Sequence, residues 1–205
     1  MSLGPSSIIL IDDQDAVRRA LGEMLSVFGY TVETFASADA ALAAITGPVG
    51  CIVCDVRMPG MDGIAFVREL AMRNLSAPVI LISGHADVPM AVAALKAGAE
   101  DFIEKPVDDK QLLAAINRCL ARSFDQLTRE QSLAELRARF ERLTRREVEV
   151  MDLVVQGFTS QAIALKLAIS QRTVESYRVQ IMEKMQAESV AVLVRQAIRS
   201  GRLSP

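Results

Sequence analysis

Short apolar runs rich in β-branched residues alternate with amphipathic stretches through the first 120 residues of the chain. Each run precedes a turn and then apolar residues with helical spacing. The runs predict strands at residues 8–11, 31–35, 51–54, 79–82 and 102–103. The stretches between them predict helices near residues 15–28, 38–45, 64–73, 88–97 and 109–120. Five such repeats predict an α/β domain with a parallel sheet, because right-handed crossovers place helices on both of its faces.

The pattern changes after residue 120. Residues 121–143 contain neither Gly nor Pro, and their apolar side chains Leu133, Leu136, Phe140 and Leu143 are spaced three, four and three apart. This spacing predicts a helical linker with a narrow apolar stripe, too short for a full coiled coil. The stripe is interrupted near Thr128, which predicts a kink or a restart of the helix there.

From Thr144 onward the pattern is helical throughout. Thr144 and Glu147 have the spacing of a capping box, and helices are predicted at residues 145–155, 160–167, 171–185 and 189–200. The short turn at residues 168–170 joins the second and third of them as a helix-turn-helix requires. The core of this region is expected to include Ile163, Leu165, Leu167 and Val174. Three regions follow: a first domain at residues 1–122, a linker at 123–143 and a second domain at 144–205.

Composition agrees with two soluble domains. The chain has 205 residues, of which 51% are hydrophobic and 23% charged, which excludes a disordered or fibrous protein. It has no apolar run of about 18 residues that could span a bilayer, and its first residues, MSLGPSS, do not resemble an export signal. Three cysteines form no framework of spaced pairs. We therefore expect a cytoplasmic protein with no membrane partner.

Charge is distributed unevenly along the chain. Residues 1–120 carry 15 acidic and 9 basic side chains, whereas residues 144–205 carry 6 acidic and 9 basic ones. An acidic first domain suits a metal ion, and a mildly basic second domain is compatible with nucleic acid.

Polar residues follow the predicted strands at the edge where parallel sheets carry their chemistry. Asp12 and Asp13 end the first strand, Asp55 ends the third, Ser83 ends the fourth, and Lys105 follows the fifth. Carboxylates brought together repel one another unless a cation lies between them, and oxygen ligands suit Mg²⁺. The sequence therefore predicts a metal site at this edge, with the Lys105 ammonium as a second positive contact for a phosphoryl group.

Two other polar features favour structural interpretations. Cys51 and Cys54 form a CxxC pattern, but residues three apart in a strand point to opposite faces, which favours buried structural thiols. His85 is the sole histidine, so a multi-histidine metal cluster or a Ser-His-Asp site is not expected; it is interpreted as an exposed loop residue.

The strings IDDQD, CDVRMPGMDG and LISGHADVPMAVAALKAGAEDFIEKP resemble the receiver domain of response regulators across roughly residues 6–120. The resemblance implies a flavodoxin-like (CheY-like) fold in which Asp55 accepts a phosphoryl group from a sensor histidine kinase. It implies Mg²⁺ (or Mn²⁺) as cofactor, held by Asp12 or Asp13, Asp55 and the backbone carbonyl of Arg57. The remaining implied positions are a switch formed by Ser83 and Phe102 and a cis peptide bond at Lys105-Pro106.

The segments LTRREVEVMDLVVQGFTSQAIALKLAISQRTVESYRVQIMEKM and AESVAVLVRQAI resemble the four-helix LuxR/NarL-type DNA-binding domain. By that resemblance Glu175, Ser176 and Val179 face the bases. The residues expected at phosphates are Arg172, Thr173, Tyr177, Arg178 and Lys184. Gln161 and Ala162 stand where the family often has Lys or Arg and Glu, and Tyr177 where it often has His, so monomer affinity is expected to be weak.

Within the family the chain looks closest to the FixJ branch, whose members are activators driven by sensor kinases. Some of them respond to low oxygen in nitrogen-fixing bacteria and others to different signals. The implied mechanism is phosphorylation, pairing of two receivers through a face near Val92 and Lys96, and binding of promoter DNA, with RNA polymerase as a further partner. The implied receiver assists only its own phosphorylation and dephosphorylation, and no segment is assigned to an ATPase domain.

Two alternatives stay open at this point. The Asp55 pocket would suit a Mg²⁺-dependent phosphohydrolase, which would need a substrate pocket or cap. The helical second domain would suit a protein-interaction module, which would not bind DNA.

Overall fold

The computed structural model describes residues 7–84 and 87–202. The chain divides into two compact units, Met1–Leu127 and Thr128–Pro205, at a point inside the predicted linker. His85 lies outside the described residues. Within the described part of the chain, no helix combines the length and apolar content needed to cross a membrane.

The first unit is built on a five-stranded parallel sheet. Its strands run in the order β2-β1-β3-β4-β5 and comprise β1 (Ser7–Ile11), β2 (Thr31–Phe35), β3 (Cys51–Asp55), β4 (Val79–Ser83) and β5 (Asp101–Glu104). Strands β1, β3 and β4 are buried along their whole length, as continuous apolar runs predict for the centre of a parallel sheet. All five predicted strands are confirmed to within one residue at each end.

Helices cover both faces of this sheet, as predicted. The helices are α1 (Asp15–Val27), α2 (Ala38–Ala44), α3 (Gly63–Met72), α4 (Val88–Ala97) and α5 (Asp109–Glu141). Neighbouring residues of β1 face opposite sides: Ile9 packs in the core with α2, α3 and α4, whereas Ile8 packs with α1 and α5. The sheet is therefore a central layer whose polar strand ends remain available for a site.

Helix α5 runs for 33 residues without interruption. The predicted helix end at residue 120 and the break near Thr128 are both wrong. Residues 121–143 lack Gly and Pro, so a gap in the apolar stripe gives the backbone no reason to leave the helix. Two contacts within the first unit also hold the helix beyond residue 120: the Ser123 hydroxyl donates to the Gly50 carbonyl at 2.7 Å, and Gln126 Nε2 donates to the Ser76 hydroxyl at 2.8 Å.

The second unit contains the predicted all-α arrangement of four helices. They are α6 (Arg145–Val155), α7 (Ser160–Leu167), α8 (Gln171–Met185) and α9 (Val190–Arg199). Each is preceded by a Ser or Thr whose hydroxyl accepts from an amide of the first turn, which fixes where the helix begins. The capping box is confirmed, since the Thr144 amide donates to Glu147 Oε2 at 2.7 Å and the Glu147 amide donates to Thr144 Oγ1 at 3.3 Å.

One expected core residue of α7 lies at the surface. Ile163 and Val174 are buried and Leu167 packs against the core, but Leu165 is 79% exposed. Residues 163 and 167 are four apart and share one helix face, whereas residue 165 lies on the opposite side. The prediction for Leu165 is therefore wrong: an eight-residue helix has only one inward face.

Candidate functional site

The carboxyl ends of the strands bring Asp12, Asp55 and Lys105 together. The Lys105 ammonium donates to Asp55 Oδ1 at 2.5 Å and to Asp12 Oδ2 at 2.9 Å. Asp12 and Asp55 are buried, whereas Lys105 retains some exposure. One lysine from the loop after β5 thus contacts carboxylates from the ends of β1 and β3, strands that are neighbours in the sheet.

Backbone amides hold both carboxylates in place. The Arg57 amide donates to Asp55 Oδ2 at 2.7 Å, and the Gln14 amide donates to Asp12 Oδ1 at 2.9 Å. In each case the donor lies two residues after the aspartate, the short-range turn that aspartates favour. The carboxylates are therefore oriented before any ligand arrives.

Burial and charge act in opposite directions on this pocket. Burial raises the pKa of Asp55, although the hydrogen bond and the charge of Lys105 oppose the rise. Burial tends to lower the pKa of Lys105, but the hydrogen bonds that its ammonium donates to Asp55 and Asp12 outweigh burial and raise that pKa. The ammonium is thus held in its charged form beside the two carboxylates.

A metal site requires more than this pair of carboxylates. Asp13 Oδ1 is buried and has no hydrogen-bond partner, as expected for an oxygen that serves as a metal ligand. Among residues 7–84 and 87–202, however, no three His, Cys, Asp or Glu side chains converge closely enough to hold a metal ion. Lys105 occupies the position between the carboxylates. The oxygen donors fit Mg²⁺ chemically, with Lys105 as the competing cation.

Ser83 and Phe102 lie on the strands nearest Lys105. The Ser83 carbonyl accepts from the Lys105 amide at 2.8 Å, and the buried Ser83 hydroxyl lies 3.7 Å from Met90 Sδ of α4. Phe102 is half-buried and packs against the core that α4 shares. The Lys105-Pro106 peptide bond is cis, as the resemblance implied.

Helix α4 presents apolar side chains to solvent beside these residues. Val88, Val92 and Leu95 are all exposed, at spacings of four and three, and Lys96 is exposed next to them. Residues so spaced lie along one helix face. The predicted positions Val92 and Lys96 therefore belong to one accessible surface, which Val88 and Leu95 extend.

The two cysteines of the CxxC pattern belong to opposite sides of the sheet. Cys51 packs in the core beneath α1 and α5, and Cys54 in the core beneath α2, α3 and α4. Burial raises the pKa of both thiols well above the usual range. The structural interpretation is supported, and the pair has no redox geometry.

In the second unit, the start of α8 exposes the residues predicted to meet DNA. Arg172, Glu175, Ser176 and Val179 are exposed, and Val179 is an apolar side chain with 67% exposure. Two of the predicted positions also have partners within the unit: Thr173 Oγ1 lies 2.7 Å from Ser170 Oγ, and Gln171 Nε2 donates to Glu175 Oε1 at 3.0 Å. The predicted Arg178 is half-buried.

Lys184 and Tyr177, predicted at phosphates, have internal contacts. The Lys184 ammonium donates to both carboxylate oxygens of Glu147 at 2.7 Å, and Glu147 is only 2% exposed. Burial alone would raise the pKa of Glu147, but hydrogen bonds from Lys184 and Thr144 lower it. Tyr177 packs against the helical core. Lys184 thus forms part of an internal ion pair rather than a free phosphate-facing cation.

Sequence reasoning missed three arginines near this ion pair. Arg142, Arg145 and Arg146 are exposed and line a cleft with Tyr177 and Lys184. The sequence does show that the three arginines cluster around the first residue of the capping box. Only the fold shows that this cluster lies beside α8.

Comparisons with known proteins identify both units. Residues 8–117 match the response regulator receiver domain, and residues 141–197 match the luxR family of bacterial regulatory proteins. The chain therefore belongs to the response regulators, as a receiver joined to a LuxR-type DNA-binding domain. It is a FixJ-type, phosphorylation-dependent transcriptional regulator.

Individual relatives support this assignment along nearly the whole chain. The transcriptional regulatory protein FixJ of Azorhizobium caulinodans is 45% identical over 94% of this chain and 92% of its own length. The response regulator protein TmoT of Ectopseudomonas mendocina is 43% identical over 93% and 87%. Among solved structures, the response regulator StyR matches with a TM-score of 0.86 and 36% identity, covering 93% of this chain and 97% of its own. Full-length FixJ from B. japonicum matches with a TM-score of 0.58 and 40% identity, covering 97% and 98%.

Proposed function

We propose that Asp55 is the residue phosphorylated in this regulator and that a sensor histidine kinase is the donor. The observation that carries the proposal is the buried Asp55 carboxylate, fixed by the Arg57 amide and in contact with the Lys105 ammonium. An Asp55 oxygen attacks the phosphorus of a phosphohistidine, the P–N bond breaks, and the imidazole leaves with the electron pair. The product is an acyl phosphate on Asp55, whose oxygens Lys105 contacts.

The same pocket is proposed to hold Mg²⁺ (or Mn²⁺). Its ligands would be Asp12 or Asp13, Asp55 and the Arg57 carbonyl, and the unpartnered Asp13 Oδ1 supports this choice. The bound cation would neutralise charge on the transferred phosphoryl group. The ammonium of Lys105, which contacts both Asp12 and Asp55, would exchange one of these contacts for the phosphoryl group.

Phosphorylation is proposed to act through Ser83 and Phe102 on the exposed face of α4. The Ser83 hydroxyl would turn from Met90 to a phosphoryl oxygen, and Phe102 would move further into the core. The exposed residues Val92 and Lys96 would then form part of a surface on which a second receiver pairs. Two DNA-binding units brought together in this way would reach half-sites about 34 Å apart.

The DNA-binding unit is proposed to read promoter DNA through α8. The base-facing residues are Glu175, Ser176 and Val179, and the exposed position of all three supports this role. The residues proposed to contact phosphates are Arg172, Thr173, Tyr177 and Arg178.

We infer that the bound regulator activates transcription by RNA polymerase. We also propose that its two domains span residues 1–122 and 144–205 and are joined by a linker at residues 123–143.

Intact mass after incubation with phosphoramidate and Mg²⁺ tests the phosphoacceptor. The wild type is expected to gain one phosphoryl group that hydroxylamine removes, whereas Asp55→Asn gains none. Asp101→Asn, which changes an acid paired with Arg118 outside the pocket, serves as the matched control and should be modified normally. Modification of Asp55→Asn to the wild-type extent would refute the assignment. Steady release of phosphate from simple esters would instead favour a phosphohydrolase.

Selection of bound duplexes from random DNA, with and without phosphodonor, tests the output. Phosphorylated wild type is expected to enrich a two-fold symmetric site, and sedimentation should show a dimer. Asp55→Asn should do neither. A second unit that enriches no sequence under either condition would indicate a protein-interaction module instead.

A further inference from the structure

The DNA-binding unit has a cleft of about 850 Å³ between the start of α6 and the later part of α8. Arg142, from the segment between α5 and α6, lines it together with residues of both helices, among them Arg145, Arg146, Tyr177, Gln180 and Lys184. The cleft is separate from the base-facing residues Glu175, Ser176 and Val179, which do not line it. The recognition helix α8 therefore contributes to this cleft through residues other than its base-facing ones.

The charge exposed in this cleft is positive. Its lining contains four cations and two carboxylates, Glu147 and Glu183. Glu147 and Lys184 are paired and offset each other, which leaves three arginines against one exposed carboxylate, that of Glu183. Arg145 is 94% exposed, and its contact with Glu149 at 3.4 Å is of the kind that surface charges exchange easily. Arg146 shares the same glutamate at 2.8 Å. The arginines can therefore turn toward an anion at small cost.

The cleft is continuous with the exposed stripe of α8. Arg172, Ser176 and Val179 lie along this stripe at spacings of four and three. Tyr177 and Gln180, each one residue further round the helix, line the cleft. On the opposite side of α8, Arg178 lines a second cleft of about 400 Å³ with Thr159 and Ser160, at the start of α7. The recognition helix is thus bordered by a cleft with three arginines on one side and by a cleft that contains Arg178 on the other.

We propose that the cleft formed by Arg142, Arg145 and Arg146 receives phosphates of one DNA strand while the Arg178 cleft faces the other. This inference rests on the proposed contact between α8 and the major groove. That groove is about 12 Å wide, close to the diameter of a helix with its side chains, so a phosphate backbone runs along each side of an inserted helix. The arginines position α8 without reading sequence.

The salt dependence of DNA binding tests the proposal on the full chain, phosphorylated and bound to the selected duplex. The variant with both Arg142→Gln and Arg145→Gln is expected to lower the slope of log K against log[salt] by about 0.9 for each phosphate that the protein no longer neutralises. Its preference among single base-pair changes should equal that of the wild type. Arg178→Gln should lower the slope in the same way from the other side. Arg195→Gln removes an exposed arginine of α9 that lines neither cleft and should leave the slope unchanged.

Three results separate this inference from the proposed function. Failure of wild type to bind DNA would refute the proposed function itself. Tight binding with an unchanged slope in the double variant would overturn the inference alone. Loss of transcription without any change in the slope would also overturn it and would indicate that an acidic protein segment occupies the cleft.

Discussion

The ion pair between Glu147 and Lys184 makes a quantitative prediction about the DNA-binding unit. Lys184→Met keeps most of the apolar stem but removes the ammonium that donates to both Glu147 oxygens. Breaking a buried pair by removing one partner costs about 3–5 kcal/mol, because the remaining charge stays desolvated. The Lys184 side chain is 34% exposed and Glu147 keeps the Thr144 amide, so solvent screening reduces this cost. We expect a decrease of about 2–3 kcal/mol in the free energy of unfolding of this unit.

Tyrosine fluorescence during urea denaturation measures this decrease in the full chain. The protein has two tyrosines and no tryptophan, with Tyr30 in the first unit and Tyr177 in the second. A Tyr30→Phe background therefore makes the signal specific for the second unit. Combining Lys184→Met with Glu147→Gln closes a double-mutant cycle, in which contacting residues show a coupling of about 0.5–3 kcal/mol. If the two substitutions lower the free energy of unfolding additively, the pairing is refuted. If Lys184→Met instead keeps full stability but lowers the salt dependence of DNA binding, Lys184 contacts a phosphate.

The pH dependence of the same transition gives a second readout. The pKa of Glu147 is lowered in the folded protein, despite its burial, by the hydrogen bonds from Lys184 and Thr144. The resulting stabilisation is present above the unfolded pKa of about 4.3 and is lost as the pH falls through the lower folded pKa. Wild type should therefore lose stability on acidification below about pH 4.3, whereas Glu147→Gln should show a flatter profile over the same interval.

The remaining predictions concern packing. Gly63→Ala would place Cβ 2.5 Å from the Asp55 carbonyl oxygen, so we expect a decrease of about 1–3 kcal/mol in receiver stability by denaturation. A shifted β3 end should also slow phosphorylation of Asp55, measured by intact mass. Phe66→Ala, at a fully buried position, should cost about 3–5 kcal/mol in the same denaturation assay, and wild-type stability would contradict the assigned core. Leu165→Gln should change the free energy of unfolding by less than about 0.5 kcal/mol, because that side chain is exposed. A larger decrease would indicate that Leu165 is buried in the core.

Local signals in the sequence were sufficient for most of the fold. Central strands buried on both faces appear as uninterrupted apolar runs, and polar residues such as Asp55 and Ser83 mark their ends. Ser and Thr caps, such as Thr144, mark helix starts because their hydroxyls bind backbone amides one turn away. The convergence of Asp12, Asp55 and Lys105 followed from parallel topology alone.

Features that depend on contacts between distant residues were not predictable in the same way. Glu147 and Lys184 are 37 residues apart, and nothing in the spacing of either residue indicates their pairing. The inward face of α7 depends on how it packs against its neighbours, so Leu165 was assigned to the wrong side. The continuity of α5 depends partly on Ser123 and Gln126, whose partners lie 73 and 50 residues away.

The burial of all three cysteines has a practical consequence for spectroscopy. Cys51, Cys54 and Cys119 have no solvent exposure, and burial disfavours the reactive thiolate of Cys51 and Cys54. Maleimide dyes should therefore not react with the natural cysteines while the protein is folded. A single cysteine introduced at an exposed position such as Ser176 would then carry a fluorophore at a known place, without prior removal of the natural thiols.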